Sequence, residues 1–254
     1  MRSSKNTFII LLAVALPLVA VATARHGRSQ KDSAKVEDAT PVQVDAMTER
    51  QRQHSKLYGG LGSRDLRKTE KSISIVRTVP FIEGDNVKTP STMDGLLRHI
   101  TCSADLVVVG TVLGKASQLT EDGTFVFTDY EMRVEELVGN NADVRARRGD
   151  SIVITRPGGA VKFNDKTVRV TDKSFQPLEV GGRYLMSLRQ IPSTGAYRAV
   201  DSESSFELNQ DGVRRLTAKE PPYVFVYRND STSFLNQVRT AEALCSSRLK
   251  EGAK

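Results

Sequence analysis

The side chains best suited to chemistry are two carboxylates, Asp129 and Glu131, in a run that alternates polar and apolar residues. Two positions is one strand repeat, so both point to the same face. Paired carboxylates serve acid–base chemistry when one is held protonated by its surroundings. The commoner role of such a pair is a solvated strand face, here with Arg133 alongside. Ser247-Arg248-Leu249-Lys250 has the S-x-x-K spacing of a serine nucleophile and its lysine base, a spacing that chance supplies in a chain of this size. The three histidines, His26, His54 and His99, lie far apart. His99 falls in a short helical pattern and reads as a surface or capping residue, while His26 and His54 lie in an aperiodic polar segment. A histidine-based metal site would need ligands from these three, so no metal site is assigned. The sequence holds no G-x-S-x-G, H-E-x-x-H, P-loop or G-x-G-x-x-G motif. No catalytic residue and no cofactor is assigned.

Binding is the alternative use of such residues. Tyr223, Phe225 and Tyr227 share one strand face. Exposed, that face would stack against sugars or peptides; buried, it is core. With Asp129 and Glu131 these aromatics form the candidate binding set. Asn229-Asp230-Ser231 fits a glycosylation acceptor and equally a helix cap.

The charge of the 254 residues is +7, from 37 Lys+Arg against 30 Asp+Glu. Residues 25–80 hold twelve basic and seven acidic residues, and the first six hold Arg2 and Lys5, so 81–254 is neutral overall. Nucleic-acid readers concentrate positive charge on the folded domain, so no nucleic-acid partner is expected.

The N-terminus reads as an export signal. Arg2 and Lys5 precede the uncharged stretch Phe8–Ala22, which ends in Ala22-Thr23-Ala24. Positive start, short apolar middle and small-residue exit predict general secretion with cleavage after Ala24, to a periplasmic or extracellular location. The apolar stretch is shorter than a bilayer span and contains Pro17, so no integral span is expected after cleavage. In an oxidising compartment Cys102 and Cys245 read as a disulfide; the alternative is two buried thiols.

Residues 25–72 are polar, with sparse apolar residues in no sustained period, and are expected to be a disordered or weakly helical tail. Residues 73–254 are expected to form one β-barrel domain, with helices near 92–101 and 231–249. Ser91 or Thr92 can cap the first helix, Asp94 favours its start, and Leu96, Leu97 and Ile100 give it an apolar stripe. Phe234, Leu235, Val238, Ala241, Cys245 and Leu249 mark the second. Between them the period is two. Leu106–Val109 reads as a strand buried on both faces or bulged at Gly110. Val126, Thr128, Tyr130, Met132 and Val134 face inward on the next strand, whose end (Glu131–Gly139) could also be a helical turn. Pro157-Gly158-Gly159 marks a turn, and Gly181-Gly182 opens a strand with Tyr184, Met186 and Leu188 inward and Arg183, Ser187 and Arg189 outward. The fold class is mainly β with flanking helices (α+β), a small OB-like barrel or a strongly curved antiparallel sheet.

Ala104-Asp105-Leu106-Val107-Val108-Val109-Gly110, Thr128-Asp129-Tyr130 with Val134, Pro157-Gly158-Gly159 and Val180-Gly181-Gly182-Arg183-Tyr184-Leu185 carry a resemblance. Residues 104–208 resemble a pattern common in uncharacterised secreted bacterial proteins with an OB-like barrel. The architecture is similar to the netrin-like domain of tissue inhibitors of metalloproteinases. The resemblance implies a barrel and no chemistry. The inhibitors' metal-chelating Cys begins their mature chain, whereas this one is expected to begin at Arg25, so no inhibitory residue is carried over. The leading expectation is an exported, non-catalytic barrel that binds a protein or glycan partner. A hydrolase of unrecognised type and a structural component of the cell envelope are the alternatives.

Overall fold

Alternating apolar residues in the middle of the chain close into a ring of strands. The computed structural model describes residues 40–41, 47–79, 90, 92–140, 144–163, 165–217 and 230–252. In chain order these contain β1 (Thr40–Pro41), α1 (Glu49–Tyr58), a 3-10 turn at Leu66–Lys68, β2 (Ile73–Arg77) and α2 (Met93–Cys102). There follow β3 (Leu106–Leu119), β4 (Val126–Asn140), β5 (Ser151–Pro157), β6 (Gly159–Phe163), β7 (Lys166–Asp172) and β8 (Arg183–Ile191). The last elements are β9 (Ala196–Ala199), β10 (Ser205–Asn209), β11 (Gly212–Arg215) and α3 (Ser231–Gly252).

Seven strands pair in the order β11-β10-β8-β3-β4-β5-β9, and β9 pairs with β8 as well. The strands β3, β4, β5, β9 and β8 therefore form a closed ring. The β5–β9 contact, through Ile154 and Tyr197, is parallel; the other pairs of this sheet are antiparallel. A second sheet has the order β1-β6-β7-β2, with β1 parallel to β6 and β2 parallel to β7. The architecture is mainly β with flanking helices, as expected, but both sheets are mixed rather than wholly antiparallel.

The β3–β4 pairing shifts register at Val107/Val108, Val109/Gly110 and Val112/Gly114. Such bulges add local twist, which lets two long strands coil around a small ring. A side chain at Gly110 would run into the carbonyl of Arg133 at 2.5 Å, so glycine is what permits the approach. The residues Glu131–Gly139 are strand, not a helical turn.

Three apolar clusters hold these layers. The ring interior is filled by Leu106, Val108, Met132, Ile154, Tyr184 and Met186 among others. On the outer face of β3 and β8, Val107, Val109 and Leu185 pack against Leu97 and Ile100 of α2 and Phe234 and Val238 of α3. Ser187, expected to face outward into water, is fully buried. The period-two reading assumed one wet face, but α2 and α3 lie over that side of the sheet. A third cluster joins Tyr58 and Leu66 to Phe125, Phe127, Val161 and Val168.

Within the polar stretch expected to be a tail, the described residues 47–72 contain α1 and the 3-10 turn, and Tyr58 and Leu66 join this cluster. Thr48 caps α1 reciprocally with Gln51, and His54, Ser55 and Tyr58 are buried. The stretch carries almost no apolar stripe, because its buried face is built from polar and aromatic side chains. Packing against the sheets accordingly begins before residue 73, with α1 among the described residues. The expected signal segment, 1–24, lies outside the described residues.

Candidate functional site

Two polar arrangements meet where α1 lies against the ring. The first begins with a capping box, Thr48 and Gln51, that starts α1. Gln51 Nα–H donates to Thr48 Oγ1 at 3.3 Å, and Thr48 Nα–H donates to Gln51 Oε1 at 2.7 Å. Six residues after the cap, His54 points into the protein with no exposed surface. Its Nδ1 lies 3.0 Å from both carboxylate oxygens of Asp129 on β4, and its Nε2 lies 3.2 Å from Thr194 Oγ1 in the β8–β9 turn. Thr194 Oγ1 also accepts from Ala196 N at 3.1 Å. The next turn of α1 adds Tyr58, stacked on Phe127 with centroids 5.4 Å apart. Burial pushes the Tyr58 phenol well above its ordinary pKa, so it stays protonated. Ser55 Oγ accepts from Glu121 N at 2.7 Å, and Asp122 accepts from Gly60 N at 2.6 Å. These contacts fasten α1 to the β3–β4 turn, to β4 and to the β8–β9 turn.

Asp129, His54 and Thr194 stand in the order carboxylate, imidazole, hydroxyl, the connectivity of a proton relay. A relay needs an open imidazole edge or a reachable hydroxyl beside oxyanion donors. Here the imidazole is enclosed and Thr194 is half-buried within its own turn. The arrangement works as a clasp between helix and barrel.

The second arrangement is a groove of about 590 Å³ beside the clasp, lined by Arg50, Arg145, Asp150, Ser151, Gln190 and Tyr197 among others. Arg50 lies one turn before His54 on α1, and Gly195, also on the lining, follows Thr194. Both arginines are exposed. Neither is paired with a carboxylate among the described residues. Asp150 Oδ2 already accepts from Arg147 N at 2.8 Å. Burial raises the pKa of Tyr197, which forms part of the floor with Ile152.

Of the residues singled out in sequence, Asp129 is in the clasp. Glu131 is exposed and accepts from Ser151 Oγ at 2.6 Å, so the two carboxylates share a strand face but not a site. His54 of α1 covers Asp129, whereas Glu131 stays exposed. His99 is not a free surface residue: its Nε2 meets Asp201 Oδ2 at 3.1 Å. Asp230 caps α3, its Oδ1 accepting from Thr232 N at 2.8 Å. Ser247 and Lys250 fall on α3. Tyr223, Phe225, Tyr227, Asn229 and His26 lie outside the described residues. Among the described residues no group of three or more His, Cys, Asp or Glu is placed to hold a metal ion. No helix among them is long and apolar enough to cross a membrane.

His54, Thr194, Arg50 and Arg145 were not singled out as site residues in sequence. The S/T-x-x-Q capping box at Thr48–Gln51 was the available signal for α1, and hence for His54. Nothing local marks Thr194 or the arginines. No protein-family model matches the chain, and no curated protein sequence matches it.

Proposed function

We propose that this chain is an exported OB-like barrel that binds a protein or glycan partner carrying carboxylates, without catalysing a reaction. The groove carries the reading: two exposed guanidinium groups, a serine hydroxyl and a glutamine amide line one open concave surface. Arginines without a carboxylate partner among the described residues match, at such a surface, carboxylates in charge and in fork geometry. The enclosure of His54 supports binding over turnover. The five-strand ring supports the OB-like reading, because a five-stranded barrel is the form of that fold and its ligands lie along strand faces and connecting loops. The likeness to the netrin-like domain is a proposal of the same architectural kind. Export is supported by the composition of Met1–Ala24 and by the Cys102–Cys245 bond, since disulfides persist in oxidising compartments.

Calorimetric titration of the chain beginning at Arg25 tests this, with poly-glutamate and an oligogalacturonate as acidic partners and dextran as the neutral control. The expected result is salt-sensitive binding to an acidic polymer, weakened at least about tenfold in the Arg50→Glu/Arg145→Glu double variant. No binding to either polymer, or equal binding by the double variant, overturns the reading.

The order Asp129, His54, Thr194 favours hydrolysis as a second reading. Turnover of a chromogenic ester or peptide that is lost in Thr194→Ala and kept in Arg50→Glu would select it.

A further inference from the structure

We propose that Arg156 holds a carboxylate in a small cavity at the corner where the five-strand ring passes into the second sheet. The chain leaves β5 at Pro157, turns through Gly158 and Gly159, and enters β6. Gly158 has φ +90° and Gly159 has φ +142°, conformations that favour glycine. A Cβ on Gly158 would meet the Val170 carbonyl at 2.9 Å, and one on Gly159 would collide with the Thr128 and Ser117 hydroxyls. Thr128 Oγ1 donates to Gly158 O at 2.7 Å, which fixes the corner from the β4 side. Beside this corner lies a cavity of about 60 Å³ lined by Tyr130, Arg156, Arg169, Asp172, Phe175 and Gln176 among others.

Arg156 is 2% exposed, and its Nε, Nη1 and Nη2 have no hydrogen-bond partner among the described residues. Its Cζ lies 4.9 Å from the centre of the Phe175 ring. A cation–π contact returns less than it costs to bury a guanidinium without a hydrogen-bonding counter-group. Burial lowers the pKa of Arg156, but arginine stays charged at physiological pH. The carboxylate on the cavity wall does not supply the missing partner. Asp172 Oδ1 accepts from Ser174 N at 2.6 Å and its Oδ2 from Val79 N at 2.8 Å. Arg169, half-buried on the same wall, adds a second positive charge. The lining thus carries two guanidinium groups against one occupied carboxylate.

Size and shape narrow the ligand. The volume is several times the roughly 10–15 Å³ that admits one water on the same kind of measure, so the cavity has room for a few waters or a small anion. The planar fork of a guanidinium pairs its N–H groups with the two oxygens of a carboxylate. Formate and acetate have that size and shape, as does the carboxylate end of a peptide. The cavity shares no lining residue with the groove, so its occupancy can be tested independently of the proposed function.

The test follows the Tm of the chain beginning at Arg25 as sodium formate or acetate replaces sodium chloride at constant ionic strength. The peptide arm compares triglycine with its C-terminal amide. A rise that grows with the logarithm of the carboxylate concentration, and reaches roughly 5–10 °C at a hundredfold excess over Kd, is expected for wild type. No rise is expected for Arg156→Met. A rise with the small acids alone assigns the site to free carboxylates; a rise with triglycine but not its amide assigns it to chain ends. No rise with any of them, or an equal rise in Arg156→Met, overturns the proposal. Should Arg156→Met not fold, the arginine Nε–H resonances of the wild-type protein decide. One of them must move on titration with a bound carboxylate, and a spectrum without movement overturns the site.

Discussion

His54 and Asp129 are 75 positions apart in sequence, and a single imidazole nitrogen of one lies 3.0 Å from both carboxylate oxygens of the other. This contact makes α1 part of the barrel. Removing the imidazole leaves a carboxylate that is only 10% exposed without its partner.

His54→Ala is therefore expected to destabilise the protein by at least roughly 1.5–3 kcal/mol, the worth of a hydrogen bond to a charged group. His54→Asn, whose amide can place a donor near the Nδ1 position, should recover part of the loss. Urea denaturation of the three proteins measures both effects. In His54→Ala, trypsin should also cut faster at Arg50, Arg52 and Lys56, because α1 opens locally more often. Equal stability and equal cleavage would remove the clasp from the account.

The part of this site on β4 was legible in sequence and the part on α1 was not. Asp129 sits in a clean period-two run, so its strand and face could be read. Its environment could not, since the covering helix announces itself by the Thr48–Gln51 cap and not by an apolar stripe. Helix α1 buries His54, Ser55 and Tyr58. Two of these three count as polar on any hydropathy scale. The helices α2 and α3 carry ordinary apolar stripes and were found for that reason. The β8 strand shows the converse: Leu185 and Ser187 are both buried because helices cover the far face, which alternation within one strand cannot reveal. Arg50 and Arg145 reach one groove only through tertiary folding, and no local pattern links residues so far apart.

Acid should weaken the protein, and the sign follows from three carboxylates. At Glu135 burial alone would raise the pKa, but the Thr111 hydroxyl at 2.5 Å and Arg183 Nε at 2.7 Å more than offset it, and the value falls below the ordinary 4.5. At Asp122 burial is likewise outweighed, by Thr120, Thr124 and Gly60. At Asp230 the backbone N–H of Thr232 and the hydroxyl of Ser233 lower the pKa from 3.8. Each group binds its proton less readily folded than unfolded. Their stabilisation is present above the unfolded values and is lost as pH falls through the lower folded ones. The urea midpoint should be level above about pH 5 and decline below it. Glu135→Gln should make that decline shallower, and an unchanged slope would contradict the assignment.

Cys102 at the end of α2 and Cys245 on α3 are disulfide-bonded, with Cα atoms 5.3 Å apart and a sequence separation of 143. A loop of this length stabilises the fold by about 4–5 kcal/mol on the chain-entropy model. At roughly 2–4 °C per kcal/mol for a domain of this size, reduction should lower Tm by about 10 °C or more. Calorimetry with and without a reductant measures the shift. Peptide mapping without reductant should return the Cys102–Cys245 crosslink; two free thiols there would refute the bond.

The same bond bears on how the protein responds to being pulled. All five strands of the ring lie between Cys102 and Cys245, as do β10 and β11. Once α1 and β2 have come away, tension applied upstream of Cys102 and downstream of Cys245 runs from one helix to the other through sulfur and not along the intervening backbone. The barrel hangs from the load path as a slack loop, while α1 and β2, which precede Cys102, do not share that shelter. Under force the helix clasped by His54 would peel away first, with the ring still closed behind its covalent strut.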